Sequence, residues 1–100
     1  MSRVVRFEAA ARVEFDEAIE WYERKRPGLG REFDAEVNSV LDRISQQPEH
    51  FRFITRTVRK ARVRRFPYSI YFAESSNVIG VVAIFHGKRD PAVLRERLLT

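Results

Sequence analysis

Two apolar stripes of helical period follow one another in the first half of the chain, and they limit what it can fold into. Ala11, Phe15, Ala18, Ile19 and Tyr22 recur at spacings of four, three, one and three, which puts them on one face of a helix over about Ala9 to Arg24. Pro27-Gly28-Leu29-Gly30 breaks that helix. A second helix runs from near Gly30 to about Gln46, with Leu29, Phe33, Val37, Val40, Leu41 and Ile44 as its stripe and Pro48 ending it. So short a turn implies an antiparallel helical hairpin. Neither helix can hide its stripe alone, so the pair should lie on a sheet.

The strands are sought elsewhere. Arg3 to Phe7 is a short candidate before the hairpin. A second strand covers about Thr57 to Phe66, where Phe66-Pro67-Tyr68 interrupts it, because proline donates no ladder hydrogen bond. A third covers about Tyr68 to Glu74, with Tyr68, Ile70 and Phe72 on one face; Ser75-Ser76-Asn77 is a hairpin turn. The fourth, about Val78 to His86, is apolar on both faces, as a central strand would be. Asp90 can cap a short last helix that has Pro91 at its first position. The reading is a single α+β domain over 1–100, a helical hairpin packed on a small twisted antiparallel sheet in the order β-α-α-β-β-β-α.

The charge is unevenly placed. Residues 1–50 hold 8 Lys/Arg and 11 Asp/Glu, net −3; residues 51–100 hold 11 and 3, net +8. This asymmetry steers the basic half toward polyanions or an acidic protein segment. Within RTVRKARVRR, residues 56–65, six of ten are Arg or Lys. Like charges on adjoining strand positions repel, so stability alone does not account for them. Strand alternation sets Arg62 and Arg64 on one face and Ala61 and Val63 on the other, with Arg59 and Arg65 in the second phase unless a bulge near Phe66-Pro67 realigns Arg65. At least two guanidiniums should then project from one side of the sheet, the face the hairpin leaves open. Arginine suits phosphate, since its planar fork bonds two oxygens at once.

Tyr71 points opposite to Tyr68, Ile70 and Phe72 and could stack on this face, or be a half-buried strand aromatic. His86, Lys88 and Arg89 cluster where the fourth strand leaves the sheet. A histidine there is more often structural than catalytic, and Arg89 could pair with Asp90 or an acidic residue of the first helix. Glu14, Glu17, Glu20 and Glu23 read as a solvated face, and His50 as surface. With no cysteine and two isolated histidines, neither a disulfide framework nor a zinc site is expected. No phosphate loop or other cofactor motif is present. The N-terminus MSRVVRFEAAARVEF lacks the apolar stretch of a secretory signal, and no run approaches the length of a membrane span, so the expected location is the cytoplasm.

Several of these pieces together resemble the RelE/ParE superfamily of type II toxin-antitoxin toxins. They are Glu20-Trp21-Tyr22-Glu23, the Pro27-to-Gly30 turn, Phe33, Pro48-Glu49, the Arg-rich strand running into Arg65-Phe66-Pro67-Tyr68, and Phe85-His86 followed by Arg89-Asp90-Pro91. The resemblance covers nearly the whole chain. It implies a cognate antitoxin that wraps a C-terminal segment around the toxin; an acidic, amphipathic segment would match the charge asymmetry, and a hetero-oligomer is expected.

The resemblance also implies one of two targets. RelE-like members cleave messenger RNA on the ribosome with basic residues and usually a C-terminal Tyr or His. ParE-like members poison DNA gyrase. This chain ends in RERLLT, which favours the ParE-like reading. Arg59, Arg62, Arg64, Arg65, Lys88 and Arg89 are then the candidates for contact with target or phosphate. In the ribonuclease alternative Lys60, Arg62, Arg64, Tyr71 and His86 are the candidate catalytic set.

Overall fold

The computed structural model describes residues 2–99. The elements are β1 (Val4–Phe7), α1 (Ala9–Lys25), α2 (Leu29–Gln46), β2 (Val58–Arg62), β3 (Tyr68–Ser75), β4 (Val78–His86) and α3 (Pro91–Leu99), with a single 3-10 turn at Pro48–His50. The α+β class and the element order are as expected from the sequence.

The hairpin turns where its glycines allow. Gly28 has φ +91°, a conformation that costs other residues but not glycine. At Gly30 the helices nearly touch: a Cβ would lie 2.5 Å from the Ile19 carbonyl oxygen and 2.9 Å from Glu23 Oε1. Glu23 closes the turn, its carboxylate accepting the Gly28 and Gly30 N–H groups at 2.9 and 3.0 Å. Glu23 is therefore a capping group as well as an exposed residue of the solvated face. The predicted stripes are the buried faces: Ala11, Phe15, Ala18 and Tyr22 from α1, and Phe33, Val37, Val40, Leu41 and Ile44 from α2.

The sheet has the order β1-β4-β3-β2, so β3 and β4 are central. β2, β3 and β4 are antiparallel as expected, but β1 lies parallel to β4, from Val4 beside Val78 to Phe7 beside Val81, which makes the sheet mixed. A bulge divides β4. Phe72 pairs with Val81 and Tyr71 with Ala83, leaving Val82 unmatched. The slip of one residue explains why β4 reads as apolar throughout. Ile79, Val81 and Ile84 all face the hairpin, while Ala83 and Phe85 face the other way.

That second face is not open. Leu94 of α3 packs there against Val58, Tyr71, Ala83 and Phe85. Asp90 caps α3 as predicted, accepting the Ala92 N–H at 2.9 Å. Because β1 matches only the first part of β4, main-chain groups beyond it need other partners. Glu8 N–H donates to the Val81 carbonyl at 2.9 Å, Ile84 N–H donates to Glu14 Oε1 at 3.0 Å, and Arg97 Nη1 donates to the Val82 carbonyl at 3.2 Å.

Candidate functional site

The basic strand is shorter than its sequence suggests. β2 ends at Arg62, and Val63 to Pro67 form a loop. Val63 and Phe66 are buried in the hairpin-side core, 2% and 7% exposed. These two anchors hold the residues between them, Arg64 and Arg65, outward. Arg65 adopts φ +71°, which replaces the bulge considered from the sequence. Its guanidinium turns back to α2, 2.7 Å from Glu32 Oε1 and 3.4 Å from Glu36 Oε2.

Arg62 and Arg64 are different. Both are exposed, and among the described residues neither guanidinium makes an ion pair or hydrogen bond. Arg62 stands on the α3 side of the sheet, in phase with Lys60 and Val58; Arg64 is carried by the loop rather than by the strand. With Val63, Arg65, Phe66 and Pro67 they line a shallow cleft of about 630 Å³. Two uncompensated forks beside each other can grip successive phosphates or a row of carboxylates.

The other cationic candidates are engaged within the chain, except Lys88. Arg59 lies on the hairpin side, donates to the Phe51 carbonyl at 2.6 Å and stacks 3.7 Å over the Phe53 ring. Arg89 reaches Glu14 at 2.6 Å, an acidic partner on the first helix as anticipated. Lys88 is exposed.

The residues proposed for proton transfer do not come together. Lys60, Arg62 and Tyr71 belong to the α3 face, with Lys60 Nζ 5.8 Å from the Tyr71 ring centroid. Tyr71 is buried under α3, 8% exposed, and not available for stacking; burial pushes its phenol pKa up. His86 is on the opposite face, edge-on to Tyr68 at 5.0 Å, and its Nδ1 accepts the Lys88 N–H at 2.9 Å. The sheet separates the two groups. His50, read as surface, is exposed.

A second cleft, about 340 Å³, lies on the hairpin side and is lined by Glu14, Glu17, Ala18, Trp21, Tyr68, Ile84, His86 and Arg89. Its floor corrects the reading of Glu14 as solvated. That carboxylate is largely buried and accepts bonds from Ile84 N–H, Arg89 and Arg97. Sequence reasoning also missed Arg97. A signal existed for Glu14: it lies three residues after Ala11 and four before Ala18, beside the buried stripe and not opposite it.

Two surface carboxyls respond to this electrostatic layout. The Gly28 and Gly30 N–H groups hold the Glu23 carboxyl below its ordinary pKa, and the Arg65 guanidinium does the same for Glu32. Their pKa values in the folded state are thus lower than the unfolded value of about 4.3. Each contributes stability that is complete above that value and is lost as the pH falls through the lower, folded-state pKa. The melting temperature should therefore fall as the pH is taken from about 5 down into the acid range. Thermal melts across this range should show a smaller fall for the Glu23→Gln/Glu32→Gln protein; equal falls would rule these two carboxyls out as its source.

Among the described residues no helix is long and apolar enough to cross a membrane. Fold and surface together define a small basic α+β protein with two of its free guanidiniums, Arg62 and Arg64, side by side in one cleft at the end of β2, where a macromolecular partner can meet them. Solved structures share this fold. The chain is similar to a chain of the chromosomal ParDE TA system from P. aeruginosa, with a TM-score of 0.73, 15% identity, and 85% of this chain and 96% of that chain covered. It is also similar to one from the RelBE2 toxin-antitoxin complex of Mycobacterium tuberculosis, with a TM-score of 0.58, 18% identity, and 86% and 99% covered. At these identities the likeness establishes the fold. The sequence matches the family described as ParE toxin of type II toxin-antitoxin system, parDE, over residues 5–91, and the chain belongs to that family. None of the curated proteins matches it.

Proposed function

We propose that this protein is a toxin that acts in the cytoplasm by binding DNA gyrase, and that a cognate antitoxin neutralises it through an acidic, amphipathic C-terminal segment. The observation that carries the choice of gyrase over messenger RNA is the division of the proton-transfer candidates. Lys60 and Tyr71 lie on one face of a rigid sheet and His86 on the other. General acid-base cleavage needs such groups within hydrogen-bond reach of one scissile phosphate. A poison that works by surface complementarity needs only presented charge, which Arg62 and Arg64 supply.

Expression without antitoxin tests this. Filamented cells and a DNA-damage response, with translation continuing, are the expected outcome. Prompt loss of translation with cut transcripts would replace the gyrase reading with the ribonuclease one. Normal growth at high expression would count against both toxin readings.

Charge reversal by Arg62→Glu/Arg64→Glu should abolish toxicity. Both side chains are exposed, so the change in stability should stay within about 1 kcal/mol. Full toxicity in the folded double variant would remove the sheet-end cations from the mechanism.

A further inference from the structure

The stretch between the 3-10 turn and β2 reads FRFITRT, residues 51–57, and the function above leaves most of it unused. Phe53 and Ile54 are 53% and 37% exposed, an adjoining pair of large apolar side chains in water. Arg52 and Arg56 flank them, exposed and with no ion pair among the described residues. No Asp or Glu occurs between Glu49 and Glu74, so no nearby carboxylate in sequence offsets this charge. Arg59 is spent on the same patch, its guanidinium covering one face of the Phe53 ring.

The main chain adds a directional feature. Phe53 forms an isolated antiparallel bridge with Arg59. The bonds that make it run from Lys60 N–H to the Arg52 carbonyl, 3.1 Å, and from Ile54 N–H to the Val58 carbonyl, 2.8 Å. They flank the Phe53–Arg59 pair on either side, so this is a non-hydrogen-bonded pair of the ladder, in which both residues turn their N–H and C=O away from each other. Those of Arg59 point to β3. Those of Phe53 point out of the sheet and have no partner among the described residues. Residues 52–54 therefore cover the rim of β2 and present an outermost edge of their own.

We propose that this ribbon seats an extended, acidic peptide segment of a protein partner. Such a segment would exchange N–H and C=O bonds with Phe53, lay an apolar side chain on the Phe53 ring, and turn its alternate residues, carboxylates, toward the cations Arg52 and Arg56. A nucleic acid would satisfy the cations, but it has no repeating N–H and C=O to match the Phe53 pair. The seat is separate from the Arg62/Arg64 cleft, so a partner held here need not compete for those guanidiniums directly. Only the identity of the occupant as the antitoxin's tail rests on the proposed function; the surface can be tested without it.

The test is an NMR titration of the full chain with three probes: a capped peptide of alternating Glu and Val about ten residues long, an oligoglutamate of equal length, and an oligouridylate. With the alternating peptide, shifts should centre on Arg52–Arg56, with the Phe53 amide moving downfield and gaining exchange protection. Arg52→Glu/Arg56→Glu should weaken binding at least about tenfold. Phe53→Ser keeps the cations and the main-chain edge but loses the apolar anchor, and should weaken it by a smaller factor; amide fingerprints report whether each variant is folded. Absence of binding overturns the proposal, as do shifts confined to Arg62 and Arg64. Equal affinity for oligoglutamate reduces the patch to non-specific charge, and tighter binding of oligouridylate at these residues makes it a nucleic-acid surface. A negative gyrase result leaves the seat standing.

Discussion

Replacing Phe33 by alanine should lower stability by about 3–5 kcal/mol. Phe33 is fully buried and sits where the hairpin meets the sheet. Its ring centroid is 5.1 Å from Tyr22, 5.1 Å from Phe66, 5.0 Å from Tyr68 and 6.0 Å from Phe15. Truncation removes the transfer free energy of the ring and leaves a cavity whose walls come from α1, α2, β3 and the loop that carries Arg64. Four separately anchored aromatic side chains cannot all move into it. For a domain of this size each kcal/mol corresponds to roughly 4–8 °C, so the melting temperature should drop by more than about 10 °C. Phe66, one of the two anchors of the basic loop, loses its edge contact in the same variant. A thermal melt matching the parent would mean that the helix-two stripe is not the centre of the core.

The second large effect is expected at Glu14. Its carboxylate serves an unpaired strand amide, Ile84 N–H, and two guanidiniums, and it lies 11% exposed beside an Arg97 that is 19% exposed. Glu14→Ala removes the carboxylate that Arg97 grips in a largely buried position and strips the Ile84 amide of its acceptor. Losses of this kind cost about 3–5 kcal/mol when the pair is buried; with some solvent access the lower end applies. Denaturant unfolding measures it. Glu14→Gln, which retains an acceptor for Ile84, should lose less than Glu14→Ala. Glu14→Leu with Arg97→Met removes both charges and should recover part of the loss. If the alanine variant unfolds at the parent's midpoint, the tie between α1, β4 and α3 contributes nothing.

Most of the architecture was legible because it rests on periodicity. Every α1 and α2 stripe residue expected inside is buried or half-buried, and Tyr68, Ile70 and Phe72 share the hairpin face as alternation required. Three things were not legible, each for a physical reason. The parallel pairing of β1 with β4 is a choice among distant partners, and no local pattern encodes it. The early end of β2 follows from Val63 and Phe66 diving into the core, which alternation alone cannot distinguish from a continuing strand. The roles of the cations depend on where α1 and α2 place their carboxylates: Arg65 meets Glu32, Arg89 meets Glu14, while Arg62 and Arg64 meet none. Sequence reasoning singled out Arg62 and Arg64 with Arg59, Arg65 and Arg89 but could not separate these two free guanidiniums from the engaged ones, nor point to Arg52 and Arg56.

The pairing of β1 with β4 has a consequence for synthesis. The first strand to leave the ribosome finds its neighbour in Val78–Val81, and Glu14 finds Arg97 only when the last helix is made. Until then the amphipathic hairpin has no β3–β4 surface on which to settle. A nascent chain that cannot finish its sheet cannot hold the Arg62–Arg64 loop on its two anchors, Val63 and Phe66, so the fixed presentation of those guanidiniums waits for the end of translation.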